Sequence, residues 1–393
     1  MTTRALTTTL GGMPYRLTRR HAPRAVRPVS IVAHGPDRWI MLTVALLVGL
    51  SIVMVFNTSY FFAGERFGDP YYVFRKHLAS IALGICVCAL ASRLRAGTYE
   101  RMAYAVLAVV VVALVAVLVP GLGIVRGGAR RWIGLGAINL QPSELAKIAV
   151  VLYLARSIVR KGARIATFSV GLVPHVIVVG VLAVLVVVEP DFGTATLISV
   201  LLAAMLFVGG VRIRHLAVPL LPALPLAVYA IHSSPYRLRR VMVFLDPWQH
   251  PRDAGFQLVQ SFIAFGSGGA LGSGLGESKQ KMFYLPEAHT DFIFSVIGEE
   301  LGLIGALLVV ALFAALAVRG FRVALRHPTP FGRLVAFGVT VLLVAQAGVN
   351  MAVVLGLLPT KGLALPFVSY GGSAMIGALA SVGVLLALSR ESG

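Results

Sequence analysis

Residues 284–303 read YLPEAHTDFIFSVIGEELGL, and their pattern decides what kind of fold the chain can adopt. The stretch closes a long polar segment and runs straight into an apolar one. Five ionisable groups fall within it: Glu287, His289, Asp291, Glu299 and Glu300. Elsewhere acids are scarce, with 15 Asp plus Glu in 393 residues. A carboxylate at the mouth of a hydrocarbon-loving segment is costly and marks a functional site by default. Asp291 is followed at once by Phe292, Ile293 and Phe294. It therefore reads as a partly desolvated acid of raised proton affinity, able to accept a proton from a hydroxyl group. For Glu299 and Glu300 a solvated helix cap and a functional role stand equally open.

Composition agrees with that start. The chain is 58% hydrophobic and 13% charged, with a mean hydropathy of +0.87. These values exclude an ordinary soluble globule and indicate a polytopic membrane protein. The net charge is +20, but the Lys and Arg lie between apolar runs, so membrane topology explains them and nucleic acid does not. Cys86 and Cys88 sit two apart in an apolar run and imply neither a disulfide nor a metal site. The His residues show no ligand spacing, and no metal-binding residues are expected. No cleavable signal peptide is evident.

Residues 1–38 are Arg-, Thr- and Pro-rich without an apolar face, and read as a disordered cytoplasmic tail that touches anionic lipid. The expected fold is all-α and polytopic. Apolar runs of about twenty residues, the length that spans a bilayer, lie near 39–56, 73–91, 102–120, 143–159, 168–188, 191–210, 215–231, 292–318, 333–356 and 372–389. That makes about ten transmembrane helices within 39–389, with residues 390–393 as a cytoplasmic C-terminus. The seventh run carries Pro219, Pro222 and Pro225 and is expected to be bent or broken. With the N-terminus inside, short loops holding Arg93 and Arg95, Arg160 and Lys161, and Arg322 and Arg326 face the cytoplasm, as the positive-inside rule requires. The opposite face then holds 121–142, the large loop 232–291 between helices seven and eight, and 357–371.

Four constellations lie on that face. Gly127–Gly134 (GGARRWIG) leads into Gln141–Lys147 (QPSELAK). Arg131 can fork onto phosphate oxygens, Trp132 suits a headgroup or a sugar face, and Ser143 reads as the N-cap of the next helix. Lys147, one turn deeper in an apolar helix, reads as an anion-binding residue, with snorkelling as the bland alternative. Glu189-Pro190-Asp191 caps helices or binds a cation. Gly266–Gly276 (GSGGALGSGLG) lacks the phosphate-loop signature and reads as a flexible, close-approach loop. Leu358–Gly362 and Leu365–Ser373 hold two prolines and a Ser-Tyr-Gly-Gly turn, and read as a re-entrant segment. There Lys361, Ser369, Tyr370 and Ser373 either bind a ligand or satisfy freed backbone. Gln346 and Asn350, one turn apart in the ninth helix, read as interhelical glue, and His175 as a satisfied core residue.

Taken together, RRWIGLG…QPSELAK, EPDFGTA, GLGESKQKMFYLPEAHTDFIFSVIGEELGLIG and LPTKGLALPFVSYGGS are similar, in order, to the signatures of the SEDS family (shape, elongation, division and sporulation), the family of FtsW, RodA and SpoVE. The YLPEAHTD and LPTKG forms resemble the FtsW branch. The resemblance covers residues 39–389. It implies a multi-pass enzyme of the bacterial cytoplasmic membrane that polymerises lipid II, an undecaprenyl-diphosphate-linked disaccharide pentapeptide, into peptidoglycan strands. It also implies a class B penicillin-binding protein as partner, among other membrane proteins of the division machinery. Asp291 is then the essential residue and general base. Arg131, Trp132 and Lys147 carry over from the family's motifs, and beside them Glu287, His289, Lys361, Ser369, Tyr370 and Ser373 are expected to bind substrate. A divalent cation, Mg or Mn, is the only cofactor left open. One departure is Phe283, where some relatives carry an acid. The rival readings are a lipid II flippase, which needs polar groups along a path through the membrane, and a non-catalytic scaffold of the division complex.

Overall fold

The computed structural model describes residues 35–392 apart from 127, 136–137, 220, 223–224, 226–227, 230–231, 234, 250–254 and 279–287. The expected disordered tail falls almost wholly outside the described residues. Its last two residues, however, belong to the fold. Asp37 caps the first helix, α1 (Arg38–Phe67), by accepting from the amides of Trp39 and Ile40 at 2.9 and 3.2 Å.

After α1 come α2 (Tyr72–Ser92), α3 (Ala96–Leu118), three strands β1 (Gly123–Arg126), β2 (Ala129–Leu135) and β3 (Ile138–Leu140), then α4 (Pro142–Lys161). Next are α5 (Val173–Val188), extended at its start by a wide turn over Phe168–Leu172, α6 (Phe192–Val208) and the short α7 (Ile213–Ala217). The rest of the chain holds α8 (Pro235–Leu245), α9 (Phe256–Gly268), α10 (Ile293–Glu300), α11 (Gly302–Arg326), α12 (Pro330–Val354) and α13 (Gly372–Arg390). Among the described residues, seven helices are long and apolar enough to cross a membrane: α1, α2, α3, Phe168–Val188, α11, α12 and α13, with α6 as a shorter apolar helix. α4 has a span's length, but Glu144, Lys147, Arg156, Arg160 and Lys161 interrupt its apolar face. Of the seventeen residues of the expected seventh span, 215–231, seven lie outside the described residues.

The chain is therefore a polytopic helical membrane protein. Its apolar faces divide cleanly. Val109, Val112 and Val115 of α3 are exposed, as lipid-facing residues are, whereas α4 and α13 are buried on almost every side and form the centre of the bundle. At the end where the chain enters α1, Arg319 Nε donates to Asp37 Oδ2 at 3.0 Å, Asp37 N to Ser389 Oγ at 3.1 Å, and Ala96 N to Glu391 Oε1 at 3.1 Å. These bonds tie α1, α3, α11 and α13 together at one end.

Three features depart from the sequence expectations. The segment 123–140 is a three-stranded antiparallel sheet in the order β1-β2-β3, with Trp132 opposite Ile124 and Gly134 opposite Asn139. The large loop 232–291 contains α8 and α9. The glycine-rich run is not an approach to a ligand but to the chain's own backbone. A Cβ on Gly268 would sit 2.0 Å from the Gly298 carbonyl, and one on Gly272 (φ +86°) 2.1 Å from that of Glu300. Ser273 N and Gly274 N donate to the carbonyls of Glu299 and Glu300 at 2.9 and 3.1 Å, bracing the junction of α10 and α11. The side chains of Glu299 and Glu300 are buried in that brace, taking bonds from Ser278 Oγ and Asn57 Nδ2, so neither is a solvated cap.

Candidate active site

The end of the bundle opposite the Asp37–Arg319 tie opens into a cavity of about 1120 Å³. The segments that build it are irregular, and each is held by a specific bond. Asp191 caps α6, accepting from Thr194 N at 3.0 Å. Gln141, not Ser143, is the N-cap residue of α4, with Pro142 in the first turn, where a missing N–H costs nothing. The Ser143 hydroxyl instead lies in the first turn, bonded by Gln141 Nε2 at 2.9 Å and 3.4 Å from Asp191 Oδ2. Ser373 Oγ accepts from Gln141 N at 2.9 Å and donates to the Asn139 carbonyl at 2.7 Å, which fastens the start of α13 to β3 and α4.

Asp291 lies half-buried on the cavity wall, in the turn just before α10. A Cβ on Gly362 would stand 3.2 Å from its Oδ2, so the glycine leaves room for the carboxylate against the 357–371 segment. His289, Trp132, Arg131, Lys361, Tyr370 and Ser373 line the same cavity. The His289 ring packs on Phe62 at 4.8 Å and on Tyr370 at 5.7 Å, and Tyr370 N donates to the His289 carbonyl at 2.9 Å. Lys361 Nζ lies 3.2 Å from Thr196 Oγ1, and burial lowers its ammonium below the ordinary lysine range.

Other expected site residues sit elsewhere. Ser369 is buried behind the wall, its hydroxyl accepting from Leu365 N at 2.8 Å, so it satisfies freed backbone. Lys147 is 3% exposed and is not on the wall. Its ammonium lies 2.8 Å from Glu144 Oε2 and donates to Gln346 Oε1 at 2.7 Å, so Glu144 meets the cavity and Lys147 supports it from below. Glu287 lies outside the described residues, as does Phe283. Arg131 faces the cavity but also holds its rim, donating from Nε to the Glu189 carbonyl at 2.8 Å and from Nη2 to that of Pro190 at 2.7 Å.

Residues 37–393 match the family of FtsW, RodA and SpoVE cell cycle proteins. The chain belongs to that family. It is 46% identical over 355 residues to the probable peptidoglycan glycosyltransferase FtsW of Geobacter sulfurreducens, covering 90% of this chain and 95% of that one. It is 39% identical over 358 residues to the stage V sporulation protein E of Bacillus subtilis, covering 91% and 98%. Among solved structures it is similar to a chain from work on the structural coordination of polymerization and crosslinking by a peptidoglycan synthase complex, with a TM-score of 0.75 at 31% identity, covering 91% and 98%. It is also similar to the rod shape determining protein RodA of Thermus thermophilus, with a TM-score of 0.66 at 26% identity, covering 91% and 97%.

In this member of the FtsW/RodA/SpoVE family the cavity carries charge that sequence reading passed over. Arg75 and Lys76 of α2 line it, Arg75 paired with Asp69 and Lys76 Nζ bonded to Tyr72 Oη at 2.6 Å. Arg240 of α8 lines it too, with Nη1 donating to the Thr360 carbonyl at 3.2 Å. The signal for the first pair was available: two adjacent cations at the end of an apolar run, away from the Arg-rich loops. Cations thus stand on several walls around Asp291. Among the described residues no three His, Cys, Asp or Glu side chains converge as a metal cage.

Glu189, unlike its neighbour Asp191, caps no helix with its side chain in this family member. It is wholly buried, its carboxyl oxygens have no hydrogen-bond partner among the described residues, and burial followed by the nearby Asp191 raises its pKa from 4.5 to about 8, against a smaller lowering by Arg131. Between those values the folded chain keeps a proton that the unfolded chain has lost, so stability falls as pH rises through that window. Glu189→Gln removes this slope. Its thermal unfolding temperature in detergent should exceed that of the parent chain by more at about pH 8 than at about pH 5, and an equal offset at both would show that Glu189 is ionised throughout.

Proposed function

We propose that this chain is a peptidoglycan glycosyltransferase that polymerises lipid II at the outer face of the bacterial cytoplasmic membrane, for septal wall synthesis in division. The N-terminus lies in the cytoplasm and the cavity opens outside, an orientation supported by the Arg-rich loops at the opposite end. Asp291 removes the proton from the 4-hydroxyl of the acceptor N-acetylglucosamine. That oxygen bonds to C1 of the donor N-acetylmuramic acid as the bond from C1 to the diphosphate oxygen breaks, with inversion. The proton ends on Asp291 and the charge on undecaprenyl diphosphate.

The observation that carries this proposal is the Asp291 carboxylate on the wall of a cavity whose other walls hold Arg131, Lys361, Arg240, Arg75 and Lys76. A diphosphate is already a good leaving group once its charge is met, so one base is enough and the paired carboxylates of glycoside hydrolases are not required. Electrostatic stabilisation of this kind is worth roughly 10²–10³-fold per donor. Trp132, His289 and Tyr370 offer ring faces to the sugars, and Ser373 shapes the wall beside them. An Mg or Mn ion, when bound, would help meet the charge of the diphosphate, and no step above passes through it. The partner is a class B penicillin-binding protein that cross-links the strands, within a larger set of division proteins.

A flippase is disfavoured by where the buried polar groups go. Lys147 is bonded to Gln346, Gln346 to the Ala364 carbonyl and Asn350 to the Asp291 and Leu363 carbonyls, and His175 is held by Ser157 at 2.9 Å, as a core histidine. In liposomes carrying labelled lipid II, the purified protein with its partner should make glycan polymer without moving lipid II between leaflets. Transport without polymer would overturn the proposal.

A further inference from the structure

We propose that Asn350 is the positioning residue of the glycosyltransferase site, a buried amide that sets the catalytic carboxylate against the segment carrying Lys361. The inference rests on the assignment of Asp291 as the base. Asn350 sits on α12, 2% exposed in an apolar helix, where an amide is costly unless its donors are used. Ordinary interhelical glue joins one helix to another. Here both N–H groups leave the helices. Asn350 Nδ2 donates to the Asp291 carbonyl at 2.8 Å and to the Leu363 carbonyl at 2.7 Å.

These two carbonyls belong to the two segments that meet at the site. One carries Asp291 into the turn before α10. The other follows Lys361 and Gly362, the glycine that leaves space beside Asp291 Oδ2. A single planar amide therefore spaces the base from the opposing wall. Its orientation follows from its partners, because a flipped amide would set Oδ1 against two carbonyl oxygens. One turn earlier on α12, Gln346 Nε2 donates to the Ala364 carbonyl at 2.9 Å while its Oε1 accepts from Lys147. The 363–364 backbone is thus fixed to α12 by both amides, but only Asn350 reaches Asp291. Fixing a base in its reactive geometry is where such a residue acts, and misplacement by 1 Å can cost about 10²-fold in rate.

The test uses the full-length protein with its partner on lipid II. Asn350→Leu keeps the volume and removes the donors. It should lower kcat by about 10²-fold with KM within about twofold, and it should also lower the thermal unfolding temperature, because two carbonyls lose their donor. Asn350→Gln, which keeps two N–H donors, should recover part of that loss. Should Asn350→Leu not fold, Asn350→Ser, which keeps one donor, is read in the same way. The clamp is overturned if kcat stays within about twofold of the parent. It is equally overturned if kcat falls while KM rises by more than about twofold and Asn350→Gln does no better than Asn350→Leu, since that is the behaviour of structural glue. Asp291→Asn in the same series separates the two assignments. If that variant is active, the base assignment falls and takes the clamp with it. If it is inactive while Asn350→Leu turns over fully, only the clamp falls.

Discussion

Asp291→Asn lowers the polymerisation rate of the purified protein by at least about 10²–10⁴-fold, the range that general-base assistance supplies, and leaves the protein folded. The substitution keeps the size and the hydrogen-bonding edge of the side chain but cannot take up a proton. Neither should it disturb the fold, because the carboxamide keeps the shape of the side chain and the backbone carbonyl still accepts from Asn350 Nδ2 at 2.8 Å. Binding of lipid II should survive as well, since the cations that meet the diphosphate lie on other walls. The expected signature is therefore a fall in kcat with KM held, as for an interaction made only in the transition state. The readout is the initial rate of glycan formation at saturating lipid II, with unfolding temperature as the control.

Lys147→Met behaves differently: it destabilises the protein by about 3–5 kcal/mol, the loss expected when one member of a buried ion pair is removed. Lys147 is 3% exposed, 2.8 Å from Glu144 Oε2, and a bond donor to Gln346. Its removal leaves the carboxylate of Glu144, a residue 8% exposed, without its cation. Adding Glu144→Gln to Lys147→Met should recover much of the lost stability, because a neutral amide does not need the ammonium. Were Lys147 instead a diphosphate ligand, as its place in the sequence suggests, Lys147→Met would unfold at the parent temperature and fail only in turnover.

The contrast between these two residues shows what can be read along the chain and what cannot. Apolar runs of membrane-spanning length announce themselves, so the helical bundle was legible. Asp291 stood out because an acid entering an apolar segment is expensive wherever it falls, and it does line the cavity. Arg131, Trp132, Lys361 and Tyr370 came from short motifs and do line one cavity. Lys147 looked like a ligand because its partner Gln346 lies 199 residues away, and no local pattern records that bond. No local pattern records the reach of Asn350 to Asp291 either, since that bond spans 59 residues. The small sheet escaped because strands of four, seven and three residues are too short to show periodicity. Glycine-rich sequence suggested mobility at 266–276, whereas absence of side chains there lets backbone pack on backbone.

Charge around the cavity also divides between service and structure. Arg131 holds the turn between α5 and α6 through two carbonyls, yet faces the cavity. Burial lowers the basicity of Lys361, and a nearby anion such as an arriving diphosphate would favour its charged form.

The most direct measurement is a structure of the Asp291→Asn variant, with its partner, holding two molecules of lipid II. The account predicts an acceptor sugar in the cavity with its 4-hydroxyl oxygen within hydrogen-bond reach, about 3 Å, of the side chain at position 291, and the donor diphosphate against Lys361 and Arg131. Lipid II bound with its sugars away from position 291, or threaded through the bundle toward the Asp37–Arg319 end, would contradict it.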